Sequence, residues 1–241
     1  ALPLAPYGRR ATVRREAVKG RVWVFEQLFG TLFVLVPVRM TVVLLESGGL
    51  WVHAPVAPTG ECVALLRELE ESLGAPVSDI VLGSAAVEHK VFLGPFARRF
   101  PSAQVHVAPG QWSYPVPLPL AFLGLGLRGA RQLEDGPGWG GEFEVAVLGV
   151  GGSSLTGFEA PWFVDTAFVH RPTGTLVLTD AVQRLPAEPP AVAQLDPYPL
   201  LVRAKDDLEE EVAEDSPEAR RRGWQRTALF ASYFRPGGVE V

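Results

Sequence analysis

The 241 residues are 47% hydrophobic and 20% charged, with Lys+Arg 22 against Asp+Glu 27 and a formal net charge of −5. That balance excludes a disordered tail, a fibre and a generally basic nucleic-acid binder. A single cysteine, Cys62, excludes an intrachain disulfide or a zinc site built on several thiolates, and it fits a reducing compartment.

Residue 1 is Ala rather than Met, which predicts a processed chain. The first 21 residues hold Arg9, Arg10, Arg14, Arg15, Lys19 and Arg21 against Glu16 alone, a local charge of +5 on a chain whose remainder sums to −10. Residues 1–21 therefore read as a solvated basic arm, left by a cleaved organelle import sequence or used to dock an acidic partner, and not as a fold element. Residues 29–45 are the most apolar stretch, but Pro37 and Arg39 at its centre argue against a membrane span. Its β-branched residues predict two buried strands broken near Pro37.

Residues 42–54 hold two apolar runs joined by Glu46-Ser47-Gly48-Gly49, a β-hairpin pattern. Cys62, Leu65, Leu66, Leu69 and Leu73 then line one helical face over 61–73, and Gly74 stops the helix. A strand over 77–82 completes a strand-helix-strand unit. Residues 83–100 have helix-compatible spacing interrupted at Gly94-Pro95, and a strand follows at 103–108. The Pro-, Gly- and Trp-rich residues 109–141 read as an ordered loop packed across a core edge, because aromatics such as Trp112 and Trp139 need burial.

Strands are predicted at 142–149 and 162–169, then a turn at Arg171-Pro172-Thr173-Gly174 and a strand at 175–178 closed by Thr179-Asp180. Alternating strands and helices give an α/β domain over 22–241. Five prolines make 185–200 an irregular surface crossing, and 206–218 packs eight acids into thirteen positions. Trp224, Phe230, Tyr233 and Phe234 make the final stretch aromatic.

No glycine cluster matches a Rossmann or P-loop pattern, and GGSS at 151–154 is not a serine-hydrolase elbow. The four histidines, His53, His89, His106 and His170, are all far apart in the chain. Glu88-His89 is the sole adjacent acid and imidazole pair, placed just after a strand where α/β folds put their sites. It reads as a site or as a packed structural pair. Asp180 ends another strand, where it approaches the same edge or caps the next helix.

The stretches VPVRMTVVLLESGGLWVHAPVAPT (36–59), IVLGSAAVEHKVFLGPFARRFPSAQVHVAPGQWSYPVPLPLAFLG (80–124), HRPTGTLVLTDAV (170–182) and RRGWQRTALFASYFRP (221–236) resemble the family of plants, algae and cyanobacteria known as domain of unknown function 4336. That family is similar to the metallo-β-lactamase superfamily, so the resemblance implies an αββα sandwich with a metal site at one edge of two sheets. It also implies a sandwich incomplete at its C-terminus, whose open sheet edge a partner would cover.

The superfamily's His-x-His-x-Asp-His motif falls on residues 84–89, with Ser84 and Ala86 in place of the first two histidines, Glu88 in place of the aspartate and His89 retained. Asp180 resembles the bridging acid, and no histidine stands near Pro161-Trp162 where another ligand is due. The resemblance therefore implies a vestigial metal site of Glu88, His89 and Asp180, with no catalytic residue and no cofactor. It further implies a non-catalytic plastid protein, imported with a cleaved presequence and acting as an accessory subunit of a larger protein assembly. Arg9, Arg10, Arg14, Arg15, Trp112 and Trp139 are its candidate partner contacts. The alternatives are a divergent hydrolase holding zinc or another transition metal, or a small-molecule binding module. Neither nucleic acid nor a transmembrane segment is indicated.

Overall fold

The computed structural model describes residues 11–31, 34–111, 129–150, 163–207 and 209–233. Seven strands form one sheet in sequential order, namely β1 (Val13–Val18), β2 (Val22–Thr31), β3 (Val34–Leu44), β4 (Leu50–His53), β5 (Val77–Leu82), β6 (Gln104–Val107) and β7 (Arg131–Gln132). Four strands form a second sheet, ordered β11 (Thr175–Val177), β10 (Phe163–His170), β9 (Phe143–Val150) and β8 (Gly136–Gly138). Helices α1 (Gly60–Leu73) and α2 (Val87–Ala97) connect β4 to β5 and β5 to β6, so these three strands run parallel.

The chain divides into two compact units. One comprises residues 14–25 and 39–183, and it holds the inter-sheet core. There Val43, Trp51 and Val81 from the first sheet pack on Phe143, Val145, Val164, Phe168 and Val177 from the second. Val52 and Ile80, the alternate residues of β4 and β5, are also fully buried, which is the two-sided burial of strands linked by crossover helices. The other unit gathers residues 26–38 with α3 (Ala191–Gln194), α4 (Tyr198–Arg203) and α5 (Pro217–Tyr233). Its core is Ala193, Leu200, Trp224 and Ala228, with Leu28 packed against it.

Local chemistry explains the elements around β5. Thr59 caps α1 by accepting from the Cys62 amide at 3.1 Å, and Gly74 closes the helix in the left-handed region (φ 61°). The buried Glu70 carboxylate accepts from the Val77 amide at 2.7 Å, which ties the end of α1 to the start of β5.

Several expectations are corrected. The basic arm is in part a fold element, since 13–18 form the edge strand β1, and Arg14 donates to the Leu65 carbonyl at 2.8 Å. Residues 1–10 lie outside the described residues. Pro37 sits inside β3 rather than at a break; β4 pairs only with residues 41–44 of β3, so a missing N–H costs no β4 hydrogen bond there. Gly94-Pro95 does not interrupt α2, because proline near its end forfeits one bond while Phe92, Leu93 and Phe96 stay buried. The irregular crossing at 185–200 contains α3 and the start of α4, with Pro190, Pro197 and Pro199 at helix starts where an N–H has no partner to lose. Within 109–141 the described part forms β7, β8 and a 3-10 turn at Trp139–Gly141.

On the core-facing side of β5 and β6, His106 Nε2 and Asp79 Oδ1 lie 2.8 Å apart, and Ser78 Oγ donates to Asp79 at 2.7 Å. Burial pushes the Asp79 carboxyl up, but hydrogen bonds from His106, Trp139 and Ser78 outweigh it and hold the group below its ordinary value of 3.8. The stability contributed is complete above the unfolded value and lost as pH falls through the lowered folded value. The stability gap between the natural chain and Asp79→Asn is therefore expected to narrow steadily in acid, as urea titrations from neutral pH to about pH 3 would measure. A gap that stays constant across that range rules the account out.

Candidate metal centre

The loop after β5 carries the chain from Gly83 to Ala86 and into the first turn of α2, which presents Glu88 and His89. Asp180 arrives from the loop after β11. The structure brings all three together, with one ligand atom from each of Glu88, His89 and Asp180 within 4.8 Å of one another. His89 Nε2 and Asp180 Oδ2 stand 3.7 Å apart, and both side chains are more than nine-tenths buried. Gln183 donates to Asp180 Oδ1 at 2.9 Å, and Oδ2 is the oxygen that stands against His89. Among the described residues this is the group of three or more metal-ligating side chains.

The two motif positions without imidazole do other work. The buried Ser84 hydroxyl accepts from the Ala86 amide at 3.0 Å, a local cap for a helix whose Ala86 N-cap has no side-chain acceptor. Gly83 is small for a different reason. A Cβ there would meet His53 Nε2 at 2.8 Å and Phe168 at 3.2 Å, so the loop is pressed against a buried imidazole.

His53 is a site residue that sequence reasoning missed. It ends β4, is 1% exposed, and stacks on Trp51 with ring centroids 5.5 Å apart. Its Nε2 lies 3.5 Å from Thr179 Oγ1, beside Asp180. Burial first, and then the nearby His89, push its pKa down to about 3 against the opposing pull of Asp165, so the ring is neutral at neutral pH. Ala54, the next residue, adopts a left-handed backbone (φ 50°), a strained turn of the kind that clusters at functional sites. The other two histidines belong elsewhere. His106 is paired with Asp79, and His170 Nδ1 lies 2.7 Å from Thr173 Oγ1.

One imidazole and two carboxylates fit one divalent ion. Ion-to-donor lengths of roughly 2.0–2.2 Å place tetrahedral ligands about 3.5 Å apart. The 3.7 Å His89–Asp180 separation is close to that, and three protein donors leave a fourth position open. Three donors suffice for one such ion with an open position and do not hold a second.

The chain matches the family described as "Domain of unknown function (DUF4336)" over residues 19–241. It belongs to that family. The DUF4336 chain has no match among curated proteins. Similar solved structures include a metallo-beta-lactamase from Pontibacter korlensis, at TM-score 0.45 and 12% identity, covering 69% of this chain and 70% of that one. Another is a metallo beta lactamase from Hirschia baltica, at TM-score 0.45 and 11% identity, covering 90% of this chain and 97% of that one.

Of the candidate partner contacts, Arg9, Arg10 and Trp112 lie outside the described residues. Arg15 is exposed, and Arg14 is engaged with α1 through Leu65 and Glu68. Trp139 faces inward, with its ring against Trp51, Phe143, Phe168 and His106. Among the described residues no helix is long and apolar enough to cross a membrane.

Proposed function

We propose that this DUF4336 protein holds one divalent metal ion between Glu88, His89 and Asp180 and is a divergent, reduced-site metal-dependent hydrolase. The observation that carries this is the convergence of the three donors within 4.8 Å from two segments some ninety positions apart in the chain. A bound ion with an open position supplies Lewis-acid polarisation and an acidified water. The protein's own part is to aim the donors: α2 presents Glu88 and His89 side by side, Gln183 fixes the rotation of the Asp180 carboxylate, and neutral His53 approaches the Thr179 hydroxyl to 3.5 Å without adding charge.

Elemental analysis of protein purified without chelator is expected to give near one manganese, iron or zinc per chain. His89→Ala and Asp180→Asn should each reduce that to background while the far-ultraviolet circular dichroism stays the same. Hydrolysis of simple chromogenic esters should vanish on chelation and return with the ion. Substoichiometric metal in the natural chain sinks this reading.

A second reading, an accessory subunit of a plastid assembly, is favoured by one observation. Leu148, Val169 and Leu176 are 41%, 39% and 56% exposed on the outer face of the four-stranded sheet, where Val169 sits directly opposite Leu176. The native mass of the endogenous protein tests it, and a clean monomer counts against it.

A further inference from the structure

Asp165 lies in the middle of an apolar strand, β10, and is 0% exposed. A buried carboxylate is tolerated only where donors surround it. Among the described residues its donors are all backbone amides. Thr166 N donates to Oδ1 at 2.8 Å, Thr179 N lies 3.2 Å from both oxygens, and Asp180 N and Ala181 N each donate to Oδ2 at 2.7 Å. Three successive N–H groups pointing at one anion form a nest. Charge-assisted bonds of this length are about twice as strong as neutral ones. The loop they hold is the one that carries Asp180.

We propose that Asp165 is the positioning residue of the metal centre: its carboxylate clamps the 179–181 backbone and thereby sets the Asp180 carboxylate opposite His89. This rests on the single-ion reading of the site. The clamp and Gln183 divide the task, one fixing where the Asp180 backbone lies and the other how its carboxylate is turned. An amide in place of the Asp165 carboxylate would aim an NH2 group at amides that also donate, so the nest cannot close around it.

The test uses the full chain and its Asp165→Asn variant, titrated with manganese and with zinc and followed by amide hydrogen exchange across 179–181. Removal of outer-shell partners typically weakens metal binding 10- to 100-fold. We expect a loss of about tenfold or more in affinity, together with at least tenfold faster exchange at Thr179, Asp180 and Ala181 and unchanged exchange in β5. Should Asp165→Asn fail to fold, Ala181→Pro carries the test with exchange read at Thr179 and Asp180 alone, because it removes one donor at an exposed position and leaves the carboxylate in place. Unchanged exchange overturns the clamp. Faster exchange with unchanged affinity also overturns it, since the residue would then be structural only. If the natural chain binds neither ion, the single-ion reading falls by itself. The clamp is then judged on exchange and on the His89 imidazole resonances, which must move in the variant as Asp180 withdraws.

Discussion

Trp51→Ala is expected to cost about 3–5 kcal/mol of stability, the range for truncating a large buried aromatic. Trp51 is 0% exposed at the centre of the inter-sheet core. Its ring stacks on Phe143 at 4.5 Å and on His53 at 5.5 Å, and meets Phe168 and Trp139 edge-on at 5.1 and 5.6 Å. Each such pair adds about 0.5–1.5 kcal/mol beyond burial, so alanine loses several at once and opens a void between the sheets. Trp51→Phe separates packing from hydrogen bonding. The buried indole Nε1 has no hydrogen-bond partner among the described residues, so phenylalanine gives up an unsatisfied donor and keeps a ring. It should cost less than half as much as alanine in a urea titration followed by circular dichroism. The site reports the same event, because His53 loses the surface it stacks on and metal binding should weaken in Trp51→Ala. A Trp51→Ala chain within about 1 kcal/mol of the natural one would show that the two sheets are held by something else.

Helix α1 was fully legible in the sequence because all its determinants are local. Cys62, Leu66 and Leu69 share one face, Thr59 caps it and Gly74 ends it. The parallel strands were legible as apolar runs for the same reason. Helix α5 was not. Its buried stripe, Trp224, Thr227 and Ala228, is narrow, and Arg220, Arg221 and Arg222 beside the acidic run made the segment look solvated. The prolines of 185–200 look the same in a sequence whether they break helices or start them. At the site, Glu88-His89 stands out in the sequence as the sole adjacent acid and imidazole pair and Asp180 as an acid ending another strand, but only the resemblance to the superfamily joins the three into one ligand set. His53 gave no signal, since a histidine closing LWVH reads the same whether it faces a core or a ligand. Asp165 was illegible for a deeper reason. Apart from the adjacent Thr166 amide, its partners are backbone amides 14 to 16 residues away, and any residue type other than proline supplies an amide.

Gly223→Ala is expected to destabilise the chain by about 1–3 kcal/mol or more, against the sign that helix propensity predicts. Alanine inside a helix is ordinarily better than glycine by about 0.8–1.0 kcal/mol. Gly223, however, lies where α5 crosses α4, and a Cβ there would fall 2.6 Å from the Leu200 carbonyl carbon and 2.9 Å from its Cα, with the carbonyl oxygen closer still. The obstacle is backbone, so no rotamer change relieves it, and the helices must part. Parting them opens the cluster of Ala193, Leu200, Trp224 and Ala228 and strains the hydrogen bond from Trp224 Nε1 to the Pro186 carbonyl, 2.8 Å long. The variant should therefore show a lower thermal midpoint and faster amide exchange over 198–203, while β4 and β5 exchange as before. A midpoint that rises would mean that propensity outweighs the contact and that α4 and α5 are not locked together through this glycine.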